Sequence, residues 1–163
     1  MILYEDTRQK TGLHTMKHDR WRELGIEMFR MKLDHGDYML DPNGRISVDT
    51  KQNMSEIATN IGSDHMRFRN ECIRSKDASC QLIILVENLD DIRSINDVPM
   101  WVNPRKTQWD IKRDLGMKCR PVPPISDERL MKSMQTMESR YGVRFEFCSP
   151  EESADRVLEL LGA

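Results

Sequence analysis

Leu82-Ile83-Ile84-Leu85-Val86 is an unbroken apolar run in a chain of which 32% is charged and 38% hydrophobic. It falls far short of the roughly 20 apolar residues that a membrane span requires. Its length and β-branched content suit a strand covered on both faces, and such strands lie inside a sheet with helices above and below. The run therefore commits the chain to a layered α/β architecture. With 163 residues, one domain is expected, burying roughly two-thirds of its unfolded surface without a disulfide or metal staple. Cys72, Cys80, Cys119 and Cys148 form no C-x-x-C pair. That speaks against a zinc knuckle or redox motif and for a reduced cytoplasmic protein. Met1 to Asp6 has no basic region followed by an apolar one, so no signal peptide is expected.

Around the central run the pattern predicts a strand at 2–6 and a helix marked by Leu13, Met16, Trp21 and Leu24, stopped by Gly25. Ile26 to Leu33 alternates, with Phe29, Met31 and Leu33 on one face. Tyr38–Leu40 and Arg45–Lys51 flank the turn Asp41-Pro42-Asn43-Gly44 and predict a hairpin. Met54, Ile57, Ala58 and Ile61 have helical spacing, and Ser63 is placed to cap a further helix carrying Phe68 and Cys72. Residues 88–125 are irregular, with one helix expected near 104–115. Ser126 opens a helix with Leu130, Met134, Met137 and Tyr141 on one stripe. Val143–Phe147 reads as a late strand. Ser149-Pro150-Glu151-Glu152 reads as a capping box before a last helix with Ala154, Val157, Leu158 and Leu161. The sum is a mixed α/β domain with helices on both faces of its sheet.

The net charge of -2 selects no partner, but Arg105, Lys106, Lys112, Arg113, Lys118 and Arg120 cluster in one stretch. Such a stretch suits nucleic acid and equally suits a solvated helix face. Arg67, Arg69 and Arg74 recur along one helix, with the same two readings. Trp101 and Trp109 flank the basic loop, where packing under the loop competes with stacking on bases. His14, His18, His35 and His65 show no ligand spacing and read as turn or surface residues. The methionines read mostly as core filler.

Asp49 and Lys51 are two apart on a strand and so project from one face. Asp37 starts the other arm of the hairpin, so the two carboxylates can converge. Paired carboxylates at strand ends suit a hard divalent cation, which takes oxygen ligands and keeps several waters. The Thr50 carbonyl between them is a further oxygen. Lys51 would then orient the attacking water or stabilise charge on a phosphate. Most D-x-K triplets on strands are, however, surface ion pairs.

Gly36-Asp37-Tyr38-Met39-Leu40, then Val48-Asp49-Thr50-Lys51, then a helix with Glu56-Ile57, resembles the XPF-type nuclease domain of the PD-(D/E)xK superfamily. Glu5-Asp6-Thr7-Arg8-Gln9 resembles that family's first motif, D-x-R-E. Arg67 to Cys72 with Leu82 to Glu87 matches its helix and buried strand. The motifs cover residues 2–90, and 126–162 would complete a single domain over 1–163. The whole looks most like the small versions carried by phages and prophages. The resemblance implies a restriction-endonuclease-like mixed β-sheet core flanked by helices on both faces. It implies a Mg²⁺-dependent DNA endonuclease, with Mn²⁺ as a substitute, in the cytoplasm of a bacterial host and with branched or flapped DNA as a candidate substrate. Asp37 and Asp49 would be metal ligands together with Thr50, and Lys51 the catalytic lysine. Asp6 and Arg8 would support the site, and Glu56 would be the trailing acid, reached only with a one-residue insertion because strict count falls on Ser55. Arg67, Arg69, Arg74, Arg105 and Lys106 would contact DNA. The family's E-R-K is Asp49-Thr50-Lys51 here, and its D-x-R-E glutamate is Gln9. The paired helix-hairpin-helix module that often follows such a domain is not expected within residues 1–163. The alternative is a catalytically silent DNA-binding or assembly subunit, against which the full set of Asp37, Asp49 and Lys51 stands. DNA is the expected partner, with no membrane and no small-molecule cofactor. A homodimer is expected through the apolar stripes of the last two helices, widened by Met131 and Leu160.

Overall fold

A computed structural model describes residues 1–10, 12 and 14–163; Leu13 of the expected first helical stripe lies outside these. In chain order the elements are β1 (Ile2–Asp6), α1 (Thr15–Glu23), β2 (Glu27–Met31), β3 (Tyr38–Met39), β4 (Ile46–Lys51), α2 (Met54–Ile61), α3 (His65–Asp77) and β5 (Gln81–Glu87). A 3-10 turn (Ile95–Met100), α4 (Pro104–Asp114), α5 (Asp127–Tyr141), β6 (Arg144–Cys148) and α6 (Ser153–Leu161) follow. The strands form one sheet in the order β2-β1-β3-β4-β5-β6. The short β3 runs antiparallel to both of its neighbours, and the remaining pairs are parallel.

β5 behaves as its composition requires. Leu82, Ile84 and Val86 face one layer, Ile83 and Leu85 the other, and all are buried. On the first face α2, α3, the 3-10 turn and α5 close over them with Phe68, Val98, Leu130 and Met134. On the second, α1 and α6 bring Trp21, Val157 and Leu161 against Leu3, Tyr38 and Val48. The stripes of α5 and α6 are consumed in this covering. Met131 and Leu160 also pack partly buried against the two cores, so the surface expected to form a homodimer points inward. Met39 of β3 and the helix-spaced Met54, Met134 and Met137 are buried, but Met16, Met66, Met100 and Met117 are exposed. Among the described residues no helix is long and apolar enough to cross a membrane.

Several local expectations shift. The buried face of α1 carries Lys17 and Trp21, while Met16 and Leu24 are exposed. The reason is electrostatic: the Lys17 ammonium turns inward to pair with the buried Glu87 carboxylate of β5, which also accepts from Ser153 Oγ at 2.7 Å. His14 joins the same buried face and bonds Gln9 at 2.7 Å, so it is not a surface histidine. β2 is an edge strand, and no helix covers its outer face. Phe29 is left exposed with the Tyr4 ring beside it at 5.9 Å, and Leu33 is buried beyond the strand end. Ser63 does not cap α3; Asp64 holds that position and the Ser63 hydroxyl donates to the Thr59 carbonyl. The capping box before α6 is one-sided. The Glu152 carboxylate accepts from both the N–H and the hydroxyl of Ser149, and the helix begins only at Ser153.

Gly36 is the one glycine on which the site depends. Its φ is +61°, and a Cβ there would lie 2.1 Å from Ser47 Oγ and 2.9 Å from the Val48 carbonyl oxygen. Ser47 cannot swing away freely, because its hydroxyl donates to the His35 carbonyl at 2.7 Å. Gly36→Ala is therefore expected to cost more than the roughly 1–3 kcal/mol of a left-handed non-glycine residue, since the contact adds to it. Denaturant melts that leave the midpoint unchanged would contradict this packing.

Candidate active site

The register of β1, β3 and β4 builds the site. Tyr38 pairs with Glu5 on one side and Val48 on the other. One step further, Asp37 is therefore level with both Asp6 and Asp49. Side chains alternate along a strand, so these three carboxylates share the face opposite Tyr38. They form a row across three strands spaced about 4.8 Å apart. The backbone ties the row together: Asp6 N–H donates to the Asp37 carbonyl and Asp37 N–H to the Val48 carbonyl, both at 2.8 Å. Lys51, two residues beyond Asp49, projects from the same face. Its ammonium lies 2.6 Å from Asp49 Oδ2 and 5.5 Å from the centre of the Phe68 ring.

Asp37 Oδ2 accepts from the backbone N–H of Thr50 at 2.8 Å and from its hydroxyl at 2.9 Å. The Thr50 N–H thus turns away from β5 toward Asp37, and its carbonyl lies on that same edge of the strand. Burial, and then the charge of Asp49, push the Asp37 carboxyl up to about 7, against the opposing pull of Lys51 and Thr50. For Lys51 burial acts downward, but the charges of Asp49 and Asp37 and the contact with Asp49 outweigh it and hold the ammonium above its usual range. Lys51 is accordingly a fixed cation in the free protein. Asp49 Oδ2 is buried and has no well-directed hydrogen bond, although Lys51 is near it. An ion pair without alignment leaves that oxygen under-satisfied.

Asp6 and Arg8 form a closed unit beside the row. Arg8 grips Asp6 through its side chain at 2.7 and 2.9 Å and through its N–H at 2.6 Å, and also donates to the Leu33 carbonyl. Leu33 N–H completes the carboxylate at 2.8 Å. Burial would raise Asp6, but these bonds hold it below the ordinary range. Asp6 is therefore the one carboxylate in the row already fully engaged. Glu56 is not brought into the row. Its N–H donates to Asn53 Oδ1 and its carboxylate accepts from Gln52 N–H, so it caps the first turn of α2.

Glu71 of α3 is the acid that sequence reasoning passed over. Burial, followed by the charge of Asp49, pushes its pKa up, and Lys51, Arg74 and Arg8 pull against that. It thus shares the electrostatic field of the row. The signal was present: Phe68, Cys72 and Ser75 are the buried positions of α3, and Glu71 borders them. The arginines of α3 divide. Arg67 and Arg74 lie at i−4 and i+3 from Glu71 and hence on its face. Arg69 turns to the other side and donates to Tyr141 Oη at 3.0 Å. Arg105 comes back from α4 to donate to Thr59 Oγ1 at 2.8 Å, which places it against α2. Lys106 is held by Asp110 at 2.6 Å and the Trp109 ring instead. Trp109 donates to the Arg120 carbonyl, and Trp101 is buried, as packing under a long loop requires.

A hard divalent cation fits this donor set. Asp37 and Asp49 offer carboxylate oxygens, one of them under-satisfied, and the Thr50 carbonyl a further oxygen. Among the described residues no cluster of three or more His, Cys, Asp or Glu is arranged to hold a metal.

Neither a family model nor a curated protein matches the chain. Solved structures do match. XPF from Aeropyrum pernix aligns with a TM-score of 0.62 at 17% identity, covering 99% of this chain and 63% of that one. XPF from Aeropyrum pernix in complex with DNA aligns with a TM-score of 0.62 at 17% identity, covering 98% and 62%. The chain thus spans less than two-thirds of those structures and shares their fold, the restriction-endonuclease-like sheet with helices on both faces.

Proposed function

We propose that the chain is a Mg²⁺-dependent endonuclease that hydrolyses DNA phosphodiester bonds, with branched or flapped DNA as the preferred substrate. The observation that carries this reading is the Asp6–Asp37–Asp49 row with Lys51 beside it, set in the fold of a protein whose structure with DNA is known. Asp37, Asp49 and the Thr50 carbonyl would hold the cation. Bound there, Mg²⁺ supplies a polarised water and neutralises charge on the phosphate. Lys51, fixed by Asp49 and by the Phe68 ring, donates toward the phosphate or the attacking water as a cation and not as a base. Asp6 and Arg8 hold the strand ends in register. Arg67 and Arg74, on the Glu71 face of α3, and Arg105, against α2, have no acidic ion-pair partner among the described residues and are suited to phosphates. A phage or prophage origin and a bacterial cytoplasm belong to the same reading. So does a homodimer, now through the exposed apolar residues Ile111, Leu115, Met117 and Val122 on and beside α4.

Cleavage of duplex, flap, fork and four-way-junction DNA, with and without Mg²⁺ or Mn²⁺, tests the function. Cutting of the branched members only with metal is expected; no cutting of any member under either metal overturns the proposal. Because Asp37 must lose its proton to bind a cation, Mg²⁺ affinity should fall about tenfold per pH unit below pH 7 and level off above it. Titration calorimetry in buffers of different ionisation enthalpy would show the released proton. An affinity flat from pH 5.5 to 8 removes Asp37 from the ligand set.

A further inference from the structure

Beside the site, a cleft of about 400 Å³ opens between α3 and α5. Its floor is apolar, with Ile61, Phe68 and Met137, and Tyr141 stands at one side. Its rim carries Arg69, Arg129 and Lys132, and none of its lining residues is acidic. Arg129 and Lys132 make no ion pair among the described residues, and Arg69 is engaged only by the Tyr141 hydroxyl at 3.0 Å. The Phe68 ring that closes the cleft is the ring under Lys51 Nζ, so the cleft and the proposed catalytic lysine share a wall.

An apolar floor under a cationic rim complements one chemistry: a flat, weakly polar body attached to a phosphate. Unpaired nucleotides have that form, and bases lie against apolar or aromatic side chains with little regard to sequence. A base inside a duplex is stacked and paired and would have to be pulled out at a cost before entering. We propose that the cleft between α3 and α5 is a nucleotide subsite that holds an unpaired segment of the DNA strand next to the bond being cut. This rests on the nuclease reading and specifies where an unpaired strand is recognised. The preference for branched DNA then comes from this chain's own helices: rim cations hold phosphates while the floor receives a base.

The test is fluorescence anisotropy in EDTA, where nothing is cut, with a labelled oligothymidylate and separately with a blunt hairpin duplex. Ser133→Trp fills the cleft from α5 without changing charge, and Arg129→Ala with Lys132→Ala strips the rim. Thr136→Trp fills the same cleft if Ser133→Trp does not fold. Each is expected to weaken oligothymidylate binding about tenfold while duplex affinity moves by less than about twofold. Unchanged oligothymidylate affinity in a filled cleft overturns the subsite. So does an equal loss on both DNAs, which would mark a general phosphate surface. A wild-type dimer that Ser133→Trp dissociates in sedimentation would instead make the cleft a contact between copies, and also overturns it. If the wild type binds oligothymidylate through the cleft yet cuts no DNA in the panel, the subsite stands and the nuclease reading falls.

Discussion

Asp37→Asn is expected to yield a protein that is inactive and yet more stable than the wild type at alkaline pH. The amide keeps the shape and can still accept from the Thr50 N–H and hydroxyl, but it offers no charge to a cation. Loss of one preorganised oxyanion-stabilising donor typically costs an enzyme about 10²–10³-fold in turnover, and loss of a metal ligand should cost at least that. Stability moves the other way. Burial and the charge of Asp49 hold the Asp37 pKa at about 7, above its value in the unfolded chain. The folded state is therefore favoured by the neutral form. Its contribution is complete below about pH 4 and is lost as pH rises through 7. With no divalent cation present, wild type should weaken by on the order of a few kcal/mol across that window, and the asparagine variant should not. Parallel melts at pH 5 and pH 8 read this directly; equal pH slopes for the two proteins would show that Asp37 carries no such strain. Asp49→Asn is a contrasting case, because it strips Lys51 of its nearest counter-charge and should lose both activity and stability.

The second large effect lies on the opposite face of the sheet. Lys17→Ala strands Glu87 in the core with Ser153 Oγ as its remaining side-chain hydrogen-bond partner among the described residues, and Glu87→Ala strands the Lys17 ammonium. Breaking a buried pair from one side costs about 3–5 kcal/mol, which for a chain of this size lowers the melting temperature by roughly 10 °C or more. Removing both charges in Lys17→Met/Glu87→Leu should recover most of the loss, since the penalty comes from the abandoned charge. Single variants within about 1 kcal/mol of wild type would mean that water reaches the pair.

That pair also explains where sequence reasoning stopped. The central strand was legible because five consecutive apolar residues admit one reading, and the last two helices because their stripes are apolar and capped. The pairing of Asp37 with Asp49 was legible because a tight turn and a period of two let the two carboxylates converge, while Asp6 was reached only through the motif resemblance. The rotation of α1 was not legible. Apolar periodicity puts Met16 inward, and only the distant Glu87 draws Lys17 in its place. Edge position likewise left Phe29 exposed, a property of the sheet order and not of the strand. Motif spacing reached Glu56 only with an insertion, and it could not show that the carboxylate accepts from the local Gln52 N–H. Glu71 escaped because its proximity to Asp49 arises from how α3 lies across the sheet.

α4 buries none of its residues. The whole excursion leaves the domain at Asn103 and returns at Ile125, where Asn103 Nδ2 donates to the Ile125 carbonyl at 2.9 Å and closes the loop at its base. A segment held by this clasp and the Arg105–Thr59 bond, with no residue in the core, is a modular appendage. Lengthening a loop between fixed ends adds little entropic cost, and insertions succeed where no core contact is interrupted. The stretch from 106 to 124 is thus where this scaffold can accept a new element, such as a partner-specific helix, a reporter or a targeting module, while Arg105, the layered sheet and its row of acids stay as they are.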